Sequence, residues 1–170
     1  MTAFVALLRG INLGKRQLKM DDLKRIAAKL GLDSPKTYIA SGNLLFASDK
    51  TEKALKAALE KALGEHMGAT VGVMIRTAKE MAAIAKANPF DEEPGNKVVA
   101  IFLDDAPPKD AVDQAKNIAG EIIRVGKREI YVHFPDGQGR SKLAIPAAAK
   151  GTARNMNSVV KLADMAAELQ

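Results

Sequence analysis

The stretch AFVALLRGINLGKR, residues 3–16, joins a short apolar run to a polar loop that contains two glycines. An extended chain over residues 3–8 has no polar side chain on either face, which is typical of a strand buried on both sides. We therefore predict that this strand is central in its sheet. Arg9 follows the strand directly, although a buried arginine is costly unless it is paired. Asn12, further along the loop, offers both a donor and an acceptor.

The segments that follow predict a ferredoxin-like unit. Their order is strand, helix, strand, strand, helix, strand, which is the order of that motif. Asp21 and Asp22 stand where a helix begins, a position that favours acids because of the helix dipole, so we interpret them as capping residues rather than a catalytic pair. Along the chain the predicted elements are strand 3–8, a helix opened by Asp21 and closed by Gly31, strands 37–40 and 44–47, helix 51–63 and strand 71–75.

The second half repeats this theme less completely. A capping box, Thr77-x-x-Glu80, predicts a further helix start, and apolar residues at helical spacing after Met156 predict a terminal helix. Between them we predict strand 98–103, helix 107–117 and a hairpin of 121–125 with 129–134. The expected class is α+β, with a ferredoxin-like βαββαβ subdomain over residues 1–76. A second, smaller α+β subdomain, resembling an incomplete copy of the first, is expected over 77–170 with the C-terminal helix, and the two are expected to pack as one compact unit.

Composition limits the kinds of protein to consider. The chain has 170 residues, of which 47% are hydrophobic and 27% charged, so it is expected to fold rather than remain disordered. It has no cysteine, which excludes disulfides, thiolate metal sites and a cysteine nucleophile. No leader or bilayer-spanning run is visible, so a cytoplasmic protein without a membrane partner is expected. The formal net charge of +6 favours anionic partners.

Several catalytic and metal-binding chemistries find little support. His66 and His133 are far apart and have no further ligand at a metal-binding offset, so we expect no metal site and no cofactor. We interpret His133, in a predicted strand, as a half-buried packing residue. Ser41 is followed by glycine but lacks the Gly-x-Ser-x-Gly elbow of serine hydrolases, and hairpin geometry explains it as well.

Polar residues without an obvious structural purpose occur in three groups. The loop after the first strand is suited to an oxyanion, or is simply held together by its own asparagine and arginine. Arg154 and Asn155 are expected at the start of the terminal helix, where free amides favour an anion, although Thr152 and Asn155 equally suit plain capping. The third group is Arg140 and Lys142, which lie on a glycine-flanked loop, where long basic side chains are equally explained as solvated surface residues. The candidate ligand-binding residues are Arg9, Gly10, Asn12, Ser41, Asn43, Arg140, Lys142, Arg154 and Asn155.

Four of these segments resemble the signature segments of a bacterial family known as domain of unknown function 1697. They are ALLRGIN (6–12), YIASGN (38–43), GRSKL (139–143) and TARNMNSVVKL (152–162), in that order over essentially the whole chain. The resemblance implies a compact protein built on a ferredoxin-like subdomain, without an assigned activity. The family commonly has tryptophan where Met156 stands here. If that tryptophan stacks on a ligand, this chain has lost the contact, and if it only packs, methionine replaces it well.

Three functions are compatible with these residues. The first is binding of a phosphate-bearing small molecule or nucleotide by Arg9, Asn12, Arg154 and the glycine-containing loops. The second is nucleic-acid binding, which the basic net charge favours and the low aromatic content of 4% disfavours. The third is an enzyme acting on a phosphorylated or carboxylated substrate, for which no general base stands out. The sequence leaves the ligand, any catalysis and the oligomeric state open.

Overall fold

The computed structural model describes residues 1–12 and 16–169 of the chain, and these form two compact units. Unit 1 contains Met1–Ala83 together with the residues from Lys161 onward, and unit 2 contains Ile84–Val160. The subdomain boundary between residues 76 and 77 stays a prediction. None of the helices in the described part of the chain is both long and apolar enough to cross a bilayer.

Unit 1 has the ferredoxin-like topology. Its four-stranded sheet has the order β2-β3-β1-β4, and all neighbouring strands are antiparallel. The first strand is central, as predicted, and helices follow the first and third strands. The elements are β1 (Thr2–Leu8), α1 (Met20–Lys29), β2 (Asp33–Thr37), β3 (Asn43–Ser48), α2 (Glu52–Met67) and β4 (Val73–Thr77).

The main core of unit 1 lies between the sheet and its two helices. From β1, Phe4 and Leu8 belong to this core, together with Leu23 of α1 and Leu59 of α2. The side chains that alternate with them along β1, such as Val5, are fully buried as well. The prediction of a strand buried on both faces is therefore confirmed, and each such aliphatic side chain contributes about 1.5–3 kcal/mol by leaving water.

The hairpin of unit 1 differs from the prediction. We expected its first strand at 37–40, because Tyr38 and Ile39 have high β propensity, but β2 runs over Asp33–Thr37. Ile39 is 46% exposed and has a positive φ of 53°. The residues with strand propensity therefore form the connection, and a strand of low propensity is held by pairing with β3. Tertiary pairing outweighs local preference here.

Unit 2 has the same strand order with different connections. The order β6-β7-β5-β8 repeats that of unit 1, and its neighbours are again antiparallel. The expectation of an incomplete second copy is thus confirmed for the sheet. The elements that complete the chain are α3 (Ala78–Lys86), β5 (Val98–Phe102), β6 (Ile122–Val125), β7 (Glu129–His133), β8 (Thr152–Asn155) and α4 (Met156–Glu168), with short 3₁₀ turns at Gly95–Lys97, Gln138–Arg140 and Pro146–Ala148.

Irregular chain replaces the crossover helices in unit 2. The predicted helix 107–117 is wrong, because the segment forms successive turns, with the Ala111 N–H donating to the Pro108 carbonyl at 3.1 Å. Two prolines open the segment, and Ala111 is its one buried residue. A helix there would bury little apolar area, so packing gives it little stability. Core residues such as Val99 and Val132 are instead covered by Leu143 and neighbouring loop residues.

Arginines on three edge strands share one arrangement. Arg76 of β4, Arg124 of β6 and Arg154 of β8 each donate from Nη1 to the carbonyl of the preceding residue, at 2.9 Å in all three cases. Each of these strands is at the edge of its sheet, where carbonyls have no partner strand. The side chain thus satisfies a backbone acceptor that a neighbouring strand would otherwise use.

Candidate functional site

Three loops meet at one end of the unit 1 sheet. The Leu8 N–H donates to the Gly42 carbonyl at 2.9 Å, and the Arg9 N–H donates to the Gly72 carbonyl at 2.8 Å. These bonds tie the loop after β1 to those before β3 and β4. Arg9, Gly10, Asn12, Ser41 and Asn43 all lie in this loop cluster.

Asn12 fixes the loop after β1 through both ends of its amide. Its Nδ2 donates to the Ala40 carbonyl at 2.5 Å, and its Oδ1 accepts from the Leu18 N–H at 2.6 Å. Its φ of 55° is one that asparagine tolerates better than most residues. For Asn12, the observed contacts are those of a loop held together by its own asparagine.

Ser41 and Asn43 organise the neighbouring turn. Asn43 is fully buried, and its Nδ2 donates to the Tyr38 carbonyl at 2.9 Å and to Ser41 Oγ at 3.2 Å. Between them Gly42 has a φ of 93°, and a Cβ there would lie 2.5 Å from Ile11 Cδ1. Glycine is therefore required for the turn to pack on the loop after β1.

Arg9 is exposed. Gly10 beside it has a φ of 67°, and Arg16 donates from Nη2 to the Thr70 carbonyl at 2.6 Å. Residues 13–15 of the same loop, including Gly14 and Lys15, lie outside the described residues. In this cluster the side chains of Asn12, Arg16 and Asn43 donate hydrogen bonds that hold the loops together.

A groove of about 400 Å³ lies in unit 2. It is formed by the β5–β6 and β7–β8 connections, which occupy the positions of α1 and α2 in unit 1. Two predicted candidates, Arg140 and Lys142, line it. The other lining residues are Asn117, Ile118, Ala119, Glu121, Phe134, Pro135, Asp136, Gly137 and Ser141.

Glu121 is a groove residue that the sequence did not reveal. It is 9% exposed, and its carboxylate accepts from Ser141 Oγ and, at 2.5 Å, from the Ala119 N–H. The Ser141 bond is the largest cause of a pKa below the ordinary 4.5 of this carboxyl, the Ala119 bond adds to it, and burial opposes both. Glu121 is thus ionised at neutral pH. Twenty residues separate it from Ser141, so no local pattern marks the pair.

Arg154 and Asn155 do not line this groove. The expectation that both stand at the start of the terminal helix is wrong for Arg154, which lies in strand β8 and is 6% exposed. Its Nη1 donates to Thr152 Oγ1 at 2.7 Å, and burial lowers its pKa to about 10. Thr152 is therefore not a helix cap. Asn155 is one, because its Oδ1 accepts from the Ser158 N–H at 2.9 Å.

His133 has a packing environment. It is 9% exposed, its Nε2 lies 3.4 Å from Glu93 Oε2, and its ring centroid lies 5.7 Å from that of Phe90. The prediction of a packing residue is confirmed, although His133 is buried rather than half-buried. Within residues 1–12 and 16–169 there is no group of three side chains arranged to hold a metal ion.

The fold and the groove define a class of protein: an α+β chain with two antiparallel sheets of ferredoxin-like strand order, of which the second carries a polar groove. The chain belongs to the family described as protein of unknown function (DUF1697), whose pattern matches residues 1–131. It is similar in fold to the conserved bacterial protein SP0830 from Streptococcus pneumoniae, with 24% sequence identity and a TM-score of 0.82. That match covers 98% of this chain and 99% of the other. No curated protein matches the chain.

Proposed function

We propose that the protein binds a phosphate-bearing small molecule, such as a nucleotide, in the groove of unit 2. The observation that carries the proposal is that Arg140 and Lys142 line one concave site. The volume of about 400 Å³ lies within the range of ordinary small-molecule sites. The two groups of candidate residues outside the groove are largely engaged in internal hydrogen bonds.

The lining gives each part of such a ligand a partner. The guanidinium of Arg140 suits two phosphate oxygens at once, and the ammonium of Lys142 adds a second positive charge. Phe134 and Ile118 supply apolar surface for a ring. The carboxylate of Glu121 can only accept hydrogen bonds, which suits the hydroxyl groups of a sugar.

The state of Glu121 supports binding rather than acid–base catalysis. A general acid or base works best with a pKa close to the working pH, and the pKa of Glu121 is instead held below its ordinary value. Its contacts with Ser141 and Ala119 fix the shape of the groove. Within the described residues, no histidine lines the groove.

Nucleic-acid binding of the stacking kind has less support. Phe4 and Phe46 are the aromatic residues of the unit 1 strands, and both are buried. Their rings stack on one another with centroids 5.7 Å apart, so neither offers a free face to a base.

The test is a binding experiment with nucleotides, sugar phosphates and inorganic phosphate. We expect a rise in melting temperature and a measurable heat of binding for at least one of them at low salt. The double variant Arg140→Ala with Lys142→Ala should bind that ligand about tenfold more weakly or worse, since it loses two charged contacts. Lys127→Ala is the matched control, because it removes an exposed lysine of the same unit that does not line the groove.

Two outcomes would contradict the proposal. One is the absence of stabilisation by every phosphate compound at millimolar concentration. The other is equal binding by the double variant and by the Lys127→Ala control. If Arg9→Ala weakens ligand binding instead, the binding site would be the loop cluster of unit 1.

A further inference from the structure

Strand β6 differs from the other three sheet edges in exposing large apolar side chains. Its residues Ile122 and Val125 are 41% and 44% exposed, and β7 is its one strand neighbour among the described residues. No residue of the edge strands β4 and β8 is exposed, and the exposed residues of β2 are polar. An exposed edge with large apolar side chains is an unusual feature, because it invites pairing with another chain.

The edge of unit 1 that corresponds to β6 is protected. Strand β2 contains Pro35, a positive φ of 49° at Ser34 and a shift of register between Asp33 and Lys36. Proline, a register irregularity and charges are the usual means of preventing edge pairing. Strand β6 has neither proline nor a register shift, and Arg124 is its one charged residue.

Hydrogen-bonding groups of β6 point away from the sheet at two positions. The Gly126 N–H donates to the Glu129 carbonyl at 2.7 Å at the closed end of the hairpin. Bonded and non-bonded pairs alternate in an antiparallel ladder, so Ile123 and Val125 direct their N–H and C=O outward. The outward carbonyl of Ile123 accepts from Arg124 Nη1 at 2.9 Å.

The exposed charges along this edge are of one sign, because the flanking Glu121 and Glu129 are buried. Arg124, Lys127 and Arg128 are the charged residues of 122–128, and none of them is acidic. A second copy of the chain pairing through β6 would bring two such segments together, which like charges oppose. An incoming strand with carboxylates would instead meet cations at its side.

We propose that β6 is the docking edge for an extended acidic segment of a partner protein, which adds to the second sheet as a fifth strand. Arg124 then leaves the Ile123 carbonyl to pair with a carboxylate of the segment, and an N–H of the segment takes its place. Backbone hydrogen bonds give the affinity. Because side chains alternate between the two faces of a strand, Val125 meets the apolar side chains of the segment on one face, and Arg124 meets its carboxylates on the other. This inference goes beyond the proposed function and uses none of the residues that line the groove.

The test uses a short labelled peptide that alternates glutamate with valine. Its controls are the same peptide with lysine for glutamate, and the acidic peptide N-methylated on alternate residues. We expect the acidic peptide to bind about tenfold or more tightly than either control, as measured by fluorescence anisotropy at low salt. Amide exchange at Ile123 and Val125 should slow in the complex.

Two variants of Val125 distinguish pairing along the strand edge from general electrostatic attraction. Val125→Pro removes an outward N–H at an exposed edge position and should abolish binding, while Val125→Thr keeps the N–H and should retain it. Melting temperatures of both variants establish that each is folded. Arg124→Ala should weaken binding of the acidic peptide.

Three kinds of result would contradict the proposal, and each can be told from the others. A dimer of the whole chain that Val125→Pro dissolves, seen by light scattering, would assign the edge to a second copy. Salt-dependent binding of single-stranded RNA that Arg124→Ala removes would assign it to nucleic acid. No binding of the acidic peptide, or equal binding of all three peptides, would overturn the proposal.

Discussion

The two sheets of this protein share one strand order, yet only one of them is crossed by helices. In unit 1 the β1–β2 and β3–β4 connections are α1 and α2, whereas in unit 2 the β5–β6 and β7–β8 connections are turns and short 3₁₀ segments. The pairing of strands therefore does not depend on helical crossovers. The polar groove of unit 2 is built from these irregular connections, so the candidate site lies where unit 1 has structural helices.

A second correspondence concerns the last strand of each sheet. Arg76 pairs across from Val5, and Arg154 pairs across from Ala100, so the two arginines have the same place in the two ladders. Each precedes a residue whose side chain caps the following helix. Arg154 is therefore part of a repeated structural arrangement, which argues against a role specific to a ligand.

The largest expected effect contrasts the two kinds of connection. Leu59 of α2 is fully buried, and Leu59→Ala should lower the free energy of unfolding by about 2–5 kcal/mol. Ile145, in the irregular β7–β8 connection, is half-buried, and Ile145→Ala should cost about 1 kcal/mol. Urea denaturation of both variants gives the comparison. Equal losses would mean that the irregular connection is packed as firmly as the helix.

The next effect concerns the edge arginines. Arg154→Ala removes a buried side chain bonded to Thr152 and the Ala153 carbonyl, and should cost about 1–3 kcal/mol. Arg76→Ala should cost a similar amount, because Arg76 is 1% exposed and makes the same bond to the preceding carbonyl. Thermal and urea unfolding measure both. If Arg154→Ala leaves the stability unchanged but weakens ligand binding, Arg154 would again be a candidate for anion binding.

Smaller effects are expected at the helix caps. Thr77 Oγ1 accepts from the Glu80 N–H at 3.1 Å, and Glu80 Oε1 accepts from the Thr77 N–H at 2.9 Å. This is the capping box that the sequence predicted. Thr77→Ala and Asn155→Ala should each cost about 1 kcal/mol. If only one of them lowers the midpoint of urea unfolding, the two helix starts are not energetically equivalent.

The smallest effect is a pH-dependent one in the groove. A carboxyl whose folded pKa is lowered stabilises the fold above its unfolded pKa, and this stabilisation is lost as the pH falls through the folded value. Ser141→Ala removes the chief cause of the lowered pKa of Glu121. The variant should therefore be less stable than the wild type at neutral pH, with the difference shrinking below the ordinary value of 4.5. Urea unfolding across this range measures it, and a constant difference would mean that the bond does not depend on ionisation.

Local patterns predicted the elements whose signals are local. The apolar run of β1 and the capping box of α3 correspond to what is found. Asp21 and Asp22 lie in the first turn of α1, but the prediction that they cap it is wrong, because the N-cap is Lys19 and no side chain bonds there. The hairpin β6–β7 was also placed correctly. Strand β8 was not, because Thr152–Asn155 has no strand pattern of its own and is extended through pairing with β5.

The candidate site was predicted in part for the same reason. Arg140 and Lys142 stood out as cations on a loop, and both line the groove. Glu121 was assigned to a predicted strand, and its contact with Ser141 depends on how two distant connections pack. Sequence therefore identified the charges of the groove but not the carboxylate that shapes it.

The residues from Lys161 onward belong to unit 1, although all of unit 2 precedes them along the chain. During synthesis, unit 1 consequently waits for its last segment until the ribosome has translated every residue of unit 2. Contacts between such distant parts of a chain raise the contact order and slow folding. We expect unit 1 to bury residues 161–168 only after unit 2 has been synthesised.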